Sequence, residues 1–397
     1  MRFSSTIERL SGMGGAKWRV HHRARQRKLA GDDIVMLTIG EPDVDAPAEV
    51  VDATVASLQG GATGYTPGRG MPNFLDALAR HYSQRTGRTI DPSQIMALPG
   101  TQAGLFVAMT AVAEAGDEVV VPDPYYATYD GVIATTGASM VHVELSPDDG
   151  YHLRPERLEA AITPKTTALL LNSPHNPTGA TLSAEEIGAI GEICRAHDLW
   201  IVADEVYAHY PPDGRVAASA FDVDELAERT LVSSSLSKSH AMPGFRMGWL
   251  VASREASAAI LPVAESMMFG SQPFLQEGAA VALNGDWRTV ADLRVVFAER
   301  ARRVSQALDG VAGISCPEPE AGMFVVANVR STGMSGDQFA ERLLDEVGVA
   351  VMPGESFGDY GHGLIRISVT VPDADIDAAC ERLRSFATGL AAASPTG

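Results

Sequence analysis

Residues 233–246, SSSLSKSHAMPGFR, set one lysine, Lys238, among small hydroxyl side chains and place Arg246 eight positions later. A lysine amine acts as a covalent catalyst through a Schiff base once burial or neighbouring cations lower its pKa. Ser235, Ser237 and Arg246 are donors of the kind a phosphate accepts. A lysine carrying pyridoxal phosphate (PLP) satisfies both halves of that description. Taken alone, the stretch reads more simply as a solvated serine-rich loop. The assignment therefore depends on whether distant segments supply a carboxylate for the pyridine nitrogen, donors for the phenolate oxygen, an anion cradle and a ring to stack on the pyridine.

Working outward, each of those needs has a candidate. Asp204 ends the apolar run WIVA, where a carboxylate is costly unless paired, and a protonated pyridine nitrogen is a suitable partner. Tyr207, three residues on, and Asn176, in the Pro- and Gly-bounded loop NSPHNPTG, are donors for a phenolate oxygen. Glu205 is expected to face solvent or support a helix, and His175 to be a structural loop residue. Thr101 and Gln102 follow Gly100 at the start of a helical stretch, whose free N–H groups form an anion cradle or simply an ordinary cap. Of the pair Tyr125-Tyr126, Tyr126 is the choice for stacking. Arg366, in LIRISVT, pairs with a structural acid or grips a carboxylate with its planar fork. Gly40, in TIGEPD, lets backbone approach that same carboxylate. Tyr65, in GYTPGRG, is a turn tyrosine able to reach a phosphate across a subunit interface.

These candidates follow short apolar runs, IMALPG, EVVVPDP, ALLLNSP, WIVADE, TLVSSS and GWLVAS, that alternate with helical stretches. The pattern predicts an α/β fold with a mostly parallel central sheet and helices on both faces, its functional loops beyond the strand C-termini. After about residue 286 an amphipathic helix over 287–308 leads to GMFVVANV, a helix near FAERLLDEVG, then VAVMPG and LIRISVT, a smaller α+β unit. The expected division is 1–47 as an arm and part of the small domain, 48–286 as the large domain and 287–397 as the small domain. Only the end, AAASPTG, reads as frayed.

With 50 acidic against 31 basic residues, the net charge of −19 disfavours nucleic acid and anionic membrane as partners. Three cysteines without a CxxC pair offer neither a disulfide framework nor zinc spacing, and Cys194 reads as a buried thiol. No metal is expected. No apolar run is long enough to span a membrane, and a cytoplasmic location is the corresponding expectation. From Arg2 to Lys28 there are eight Arg or Lys residues and one acid, Glu8, as in a transit peptide. Interspersed Trp18, Val20 and Leu29, and the strand-like IVMLTIG that follows, favour an ordered helical arm on the protein surface or on a partner subunit.

The ordered set GEPD, YTPGRG, NSPHNPTG, ADEVY, SLSKSHAMPGFRMGW and IRIS resembles the class I/II aminotransferases, the fold-type I, PLP-dependent family. That resemblance covers about residues 5–390. It implies that Lys238 holds PLP covalently, that Asp204 pairs with the pyridine nitrogen, and that Asn176 and Tyr207 contact the phenolate oxygen. It further implies that Tyr126 stacks, although many members carry Trp or Phe there. Thr101, Gln102, Ser235, Ser237 and Arg246 would surround the phosphate with Tyr65 from the partner of a homodimer, while Arg366 and Gly40 hold the substrate carboxylate. Within the family, SPHNPTGA, AHDLWIVADEVY and GMFVVANVRSTGMS are similar to members that transaminate arginine with pyruvate. The implied reaction moves an amino group from arginine or another basic amino acid to a 2-oxo acid. Aspartate, aromatic or neutral donors, and PLP-dependent lyase or oxidase chemistry, are the alternatives. Arg69 and Trp18 are possible neighbours of the side-chain pocket, with loop packing the expected role of each.

Overall fold

The apolar runs become strands because they are buried on both faces. The computed structural model, which describes residues 2–393, assembles six of them and one further strand into one sheet. They are Ile95–Leu98 (β1), Glu118–Asp123 (β2), Ser139–Glu144 (β3), Thr166–Asn172 (β4), Trp200–Asp204 (β5), Thr230–Ser235 (β6) and Gly248–Val251 (β7), in the spatial order β1-β7-β6-β5-β4-β2-β3. All neighbours are parallel except β7, which runs antiparallel to both β1 and β6. Strand β3 escapes a search for continuous apolar runs. It is an edge strand, half-buried along most of its length, and its sequence SMVHVE alternates instead.

Register brings the C-terminal ends of the central strands together. Asn172 of β4 lies opposite Asp204 of β5, and Asp204 opposite Ser233 of β6. The polar clusters that follow the strands therefore share one edge of the sheet.

Three further strands form an antiparallel sheet, Phe324–Asn328 (β8), Met352–Pro353 (β9) and Leu364–Ser368 (β10), in the order β9-β10-β8. VAVMPG does not form one strand. It breaks at Val351, so that Val349 and Ala350 pair with Val35 and Met36 while Met352 and Pro353 pair with β10. IVMLTIG likewise contributes only Val35–Met36 as strand. Beyond them the Leu37 carbonyl accepts from Ser368 N, and the Thr38 carbonyl from Arg366. The chain leaves its ladder because its acceptors are used elsewhere.

Helices Arg288–Leu308, Gly336–Val347 and Asp373–Ala393 cover this sheet, and Val20, Ala24 and Leu37 share its apolar core. The frayed end expected at AAASPTG lies, from residue 394 on, outside the described residues. The arm is helical over Arg19–Leu29, and its basic character has a structural reason. Arg19 pairs with Asp337 and Glu341, Arg23 with Asp345 at 2.7 Å, and Arg27 with Asp345 at 3.0 Å. Its cations thus match the acidic face of 336–347. Among the described residues, no helix is long and apolar enough to cross a membrane.

Glu205 does not face solvent. It is buried, with Arg85 Nη1 donating to it at 2.7 Å, while the Arg85 Nε–H donates to Asp222. Strand alternation turns Glu205 to the opposite side from Asp204, into the interior, where Arg85 compensates it. Breaking a buried pair from one side leaves an uncompensated charge at a cost of about 3–5 kcal/mol. Arg85→Ala is therefore expected to lower stability by that order in denaturant unfolding, and the double variant Arg85→Met/Glu205→Gln to recover most of the loss. Equal destabilisation of both variants would refute the account.

Candidate active site

Beyond the C-terminal ends of β4, β5 and β6 lies a cavity of about 270 Å³, walled on its far side by β8 and β10. Of the thirteen residues expected at the site, twelve line it: Gly40, Thr101, Gln102, Tyr126, Asn176, Asp204, Tyr207, Ser235, Ser237, Lys238, Arg246 and Arg366. The exception is Tyr65, which is 90% exposed and meets the ring of Phe269 edge-on at 5.1 Å.

At one end, the helix Thr101–Val112 begins at the cavity with Gly100 as its cap. Gly100 has φ of 86°, and a Cβ there would strike the Arg246 guanidinium, so this close approach requires glycine. Arg246 donates to the carbonyls of Pro99 (3.0 Å) and Pro243 (2.9 Å), which fixes its fork beside the helix N-terminus. Thr101 Oγ1 donates to Ser235 Oγ at 3.0 Å, and the Ser233 hydroxyl donates to the Thr101 carbonyl. This end is a cluster of hydroxyls, one guanidinium and free helical N–H groups, which together suit an anion.

In the middle, the buried Asp204 carboxylate accepts from the Tyr129 hydroxyl at 2.7 Å and from Val206 N at 3.2 Å. Among the described residues it has no ion-pair partner. Burial raises its pKa to about 6, against the Tyr129 and Val206 hydrogen bonds that favour the charged form. Asn172 donates to the Asp204 carbonyl and accepts from Asn176 N, which orients the Asn176 amide. Asn176 Nδ2 then lies 3.3 Å from the Tyr207 hydroxyl. Lys238 donates to the Gly40 carbonyl at 2.7 Å, and Tyr210 donates to the carbonyl of Lys238. Burial lowers the Lys238 pKa to about 8; Glu41 opposes this, and Arg366 and Arg246 add to it. A substantial neutral fraction near neutral pH is the state a nucleophile or base requires.

At the far wall, Arg366 is buried and, among the described residues, has no carboxylate partner. Its Nη1 donates to Asn176 Oδ1 (3.0 Å) and its Nη2 to the Thr38 carbonyl (2.7 Å), while Nε has no partner. Phe324 and Phe357 lie 4.0 and 4.5 Å from its central carbon. Burial lowers its pKa to about 10, which still leaves it charged. Of the two readings weighed for Arg366, the structural acid is therefore excluded. A Cβ on Gly40 would enter the Phe324 ring, so glycine is what allows the Gly40 backbone to reach this wall.

Several contributors escape the sequence. Tyr129, the donor to Asp204, lies one helical turn beyond Tyr126, and that spacing is the only signal for it. Trp18 lines the cavity as well as packing against Ala127, Met352 and Phe357, whereas Arg69 packs through Ser257 Oγ at 2.7 Å. His175 is buried outside the cavity and bonded to Thr178. Cys194 is a buried free thiol.

The Asp204 titration carries a testable sign. Unfolded, the group ionises at about 3.9, and folded at about 6, so between those values the native state keeps a proton that the unfolded chain has lost. Stability of the cofactor-free protein therefore falls as pH rises through that window, by about 3 kcal/mol from this group. Asp204→Asn does not titrate, so its stability relative to wild type is expected to climb across that range and level off above it, as read by urea unfolding. Tyr129→Phe extends the window upward. A pH-independent difference between Asn and Asp would count against the burial account.

Comparison with known proteins agrees with this geometry. Residues 32–383 match the family described as aminotransferase class I and II. The chain is 38% identical over 390 residues to arginine–pyruvate transaminase AruH of Pseudomonas aeruginosa, covering 98% of this chain and 99% of that one. It is 32% identical to an aspartate aminotransferase of Bacillus subtilis over 92% of this chain and 94% of that one. Among solved structures, aspartate aminotransferase from Thermus thermophilus with maleate superposes with a TM-score of 0.90 at 30% identity, over 97% of this chain and 100% of that one. The chain belongs to the class I and II aminotransferases and is a PLP-dependent transaminase of fold type I.

Proposed function

We propose that this aminotransferase takes its amino group from L-arginine or another basic amino acid and delivers it to a 2-oxo acid such as pyruvate. The observation that carries the site roles is Arg366, a buried guanidinium that, among the described residues, has no acid beside it and no partner for its Nε. A cation held in that state is completed by a carboxylate from outside. The donor class is supported by the name of the relative at 38% identity and by the cavity lining. Its cations are Lys238, Arg246 and Arg366, each needed by the common part of the reaction, so this chain offers none to a second, side-chain carboxylate.

The residues fit PLP. Asp204 is a buried carboxylate awaiting a cation, which the protonated pyridine nitrogen is. The Gly100–Thr101 helix start, Gln102, Ser235, Ser237 and Arg246 would hold the phosphate. Tyr207 and Asn176 would donate to the phenolate oxygen, and Tyr126 would lie against the ring. When bound, PLP supplies an electron sink that acidifies the substrate Cα–H bond. Arg366, with the backbone at Gly40, grips the α-carboxylate and so orients the substrate Cα toward the lysine. Lys238 Nζ would act as the general base that takes the substrate Cα proton and the acid that returns it. Holding the pyridine nitrogen protonated is the work of Asp204, whose carboxylate Tyr129 steadies.

The working unit is a homodimer, as is typical of the family. Tyr65 and Phe269 form an exposed aromatic pair on the isolated chain. In the dimer, Tyr65 of the partner subunit reaches the phosphate end of the cavity.

A panel of amino donors with pyruvate or 2-oxoglutarate as acceptor tests the donor class, with arginine expected to show the highest kcat/KM. Aspartate exceeding arginine would overturn it. Lys238→Ala is expected to abolish turnover and the absorbance of lysine-bound cofactor, and near-wild-type turnover would remove the central assignment. Tyr65→Phe is expected to weaken PLP retention by about tenfold, one hydrogen bond to a charged group, while sedimentation still reports a dimer. Unchanged retention would exclude Tyr65 from the phosphate site.

A further inference from the structure

Once the cavity residues are assigned to phosphate, ring and α-carboxylate, an apolar edge is left over. It includes, besides Leu105, Val206 and Pro243, Trp18 from the arm and Ile39, which is 38% exposed and precedes Gly40. Trp18 is half-buried and packs with Ala127, Met352 and Phe357, the last of which lies against the Arg366 guanidinium. Its place is fixed from three directions. Lys17 Nζ donates to the Ala127 carbonyl at 3.1 Å and to Asp130 at 2.5 Å, with both charged side chains largely buried. The Ser356 hydroxyl donates to the Lys17 carbonyl at 2.8 Å. The Trp18 ring meets His21 edge-on at 6.1 Å, and His21 Nδ1 is bonded to Thr38 Oγ1, on the residue whose carbonyl accepts from Arg366. An indole tied this firmly to the carboxylate-binding wall is a built surface.

We propose that Trp18 is a specificity-determining residue, the wall against which the donor's side chain lies, and that it selects a long side chain ending in a flat cation. The inference rests on the assignment of Arg366 to the substrate carboxylate and of Lys238 to its amine, which leaves the side chain to the remaining edge. An indole face packs the methylene stem and attracts a guanidinium through its quadrupole. Glu41, next to Gly40, is the largest charge opposing the lowered pKa of Lys238, and Arg366 and Arg246 act against it. A short donor such as alanine gains nothing from the wall, and a side-chain carboxylate meets no cation of this chain there.

The test uses the PLP-loaded enzyme and the variants Trp18→Ala and Trp18→Phe. The ratio of kcat/KM for arginine over alanine is expected to fall roughly tenfold in Trp18→Ala and by less in Trp18→Phe, which keeps a ring. Calorimetry with 5-guanidinopentanoate, which is arginine without its amine, and with propanoate gives a readout independent of turnover. Trp18→Ala is expected to weaken the first roughly tenfold and the second much less. A uniform fall for both donors and both acids, or no change in either ratio, would overturn the proposal, and melting temperatures identify a variant that is merely misfolded, for which Trp18→Phe then decides. Failure of both acids to bind the wild type would instead count against the Arg366 assignment, and the turnover ratio would then decide Trp18 alone.

Discussion

The structure is built around two buried charges that the protein does not neutralise. Asp204 closes the central strand of a mostly parallel sheet, and among the described residues its carboxylate meets a hydroxyl and a backbone N–H but no cation. Arg366 stands across the cavity from it in β10 and meets a side-chain amide, a backbone carbonyl and two aromatic rings. Isolated charges in a protein interior are destabilising unless hydrogen bonded or completed from outside. Each group here is held in place by neutral partners, which fix its geometry and leave its charge available. The cofactor's pyridine nitrogen and the substrate's carboxylate have the complementary charges.

These two charges belong to different sheets, and the contacts between them explain how the parts stay in register. Asn172 bonds the Asp204 carbonyl and orients Asn176, and Asn176 presents its amide N–H toward Tyr207 and its oxygen to Arg366. One asparagine thus faces the Tyr207 hydroxyl and the Arg366 guanidinium at once. On the other side, the Thr38 carbonyl holds Arg366 while its hydroxyl is bonded to His21 of the arm. A shift of the arm relative to β10 would therefore be felt at the guanidinium.

Much of this was legible in the sequence, for physical reasons that differ by element. Strands buried on both faces must be continuously apolar, so six of the seven central strands stood out, and the loops after them named the polar site. Edge strand β3 has one hydrogen-bonded neighbour and a half-exposed face, so it alternates and hides among loops. Asp204 was legible because a carboxylate ending an apolar run needs a reason. Its neighbour Glu205 was misjudged because its partner, Arg85, lies 120 residues earlier and only the fold brings them together. Tyr129 and Trp18 were illegible in the same sense, since an aromatic in a helical or basic segment reads as packing until tertiary structure shows which surface it meets. Tyr65 is exposed in a single chain, and its proposed role requires a second one.

The aromatic setting of Arg366 also explains why an acid would be the wrong way to hold it. A carboxylate partner would fix the fork with two strong hydrogen bonds and cancel the charge, and a substrate would then have to displace it. The rings of Phe324 and Phe357 attract the guanidinium through their faces and occupy none of its N–H groups. The Thr38 carbonyl and Asn176 amide take one N–H each, and Nε keeps its own. Burial then lowers the pKa only to about 10, which leaves the group cationic at any physiological pH. A lysine in the same place would have a mobile ammonium, no planar fork to stack between the rings and a pKa that burial moves more readily. Fixed orientation with retained charge is therefore a property of arginine between aromatics, and the proposed grip of Arg366 on a substrate carboxylate depends on both.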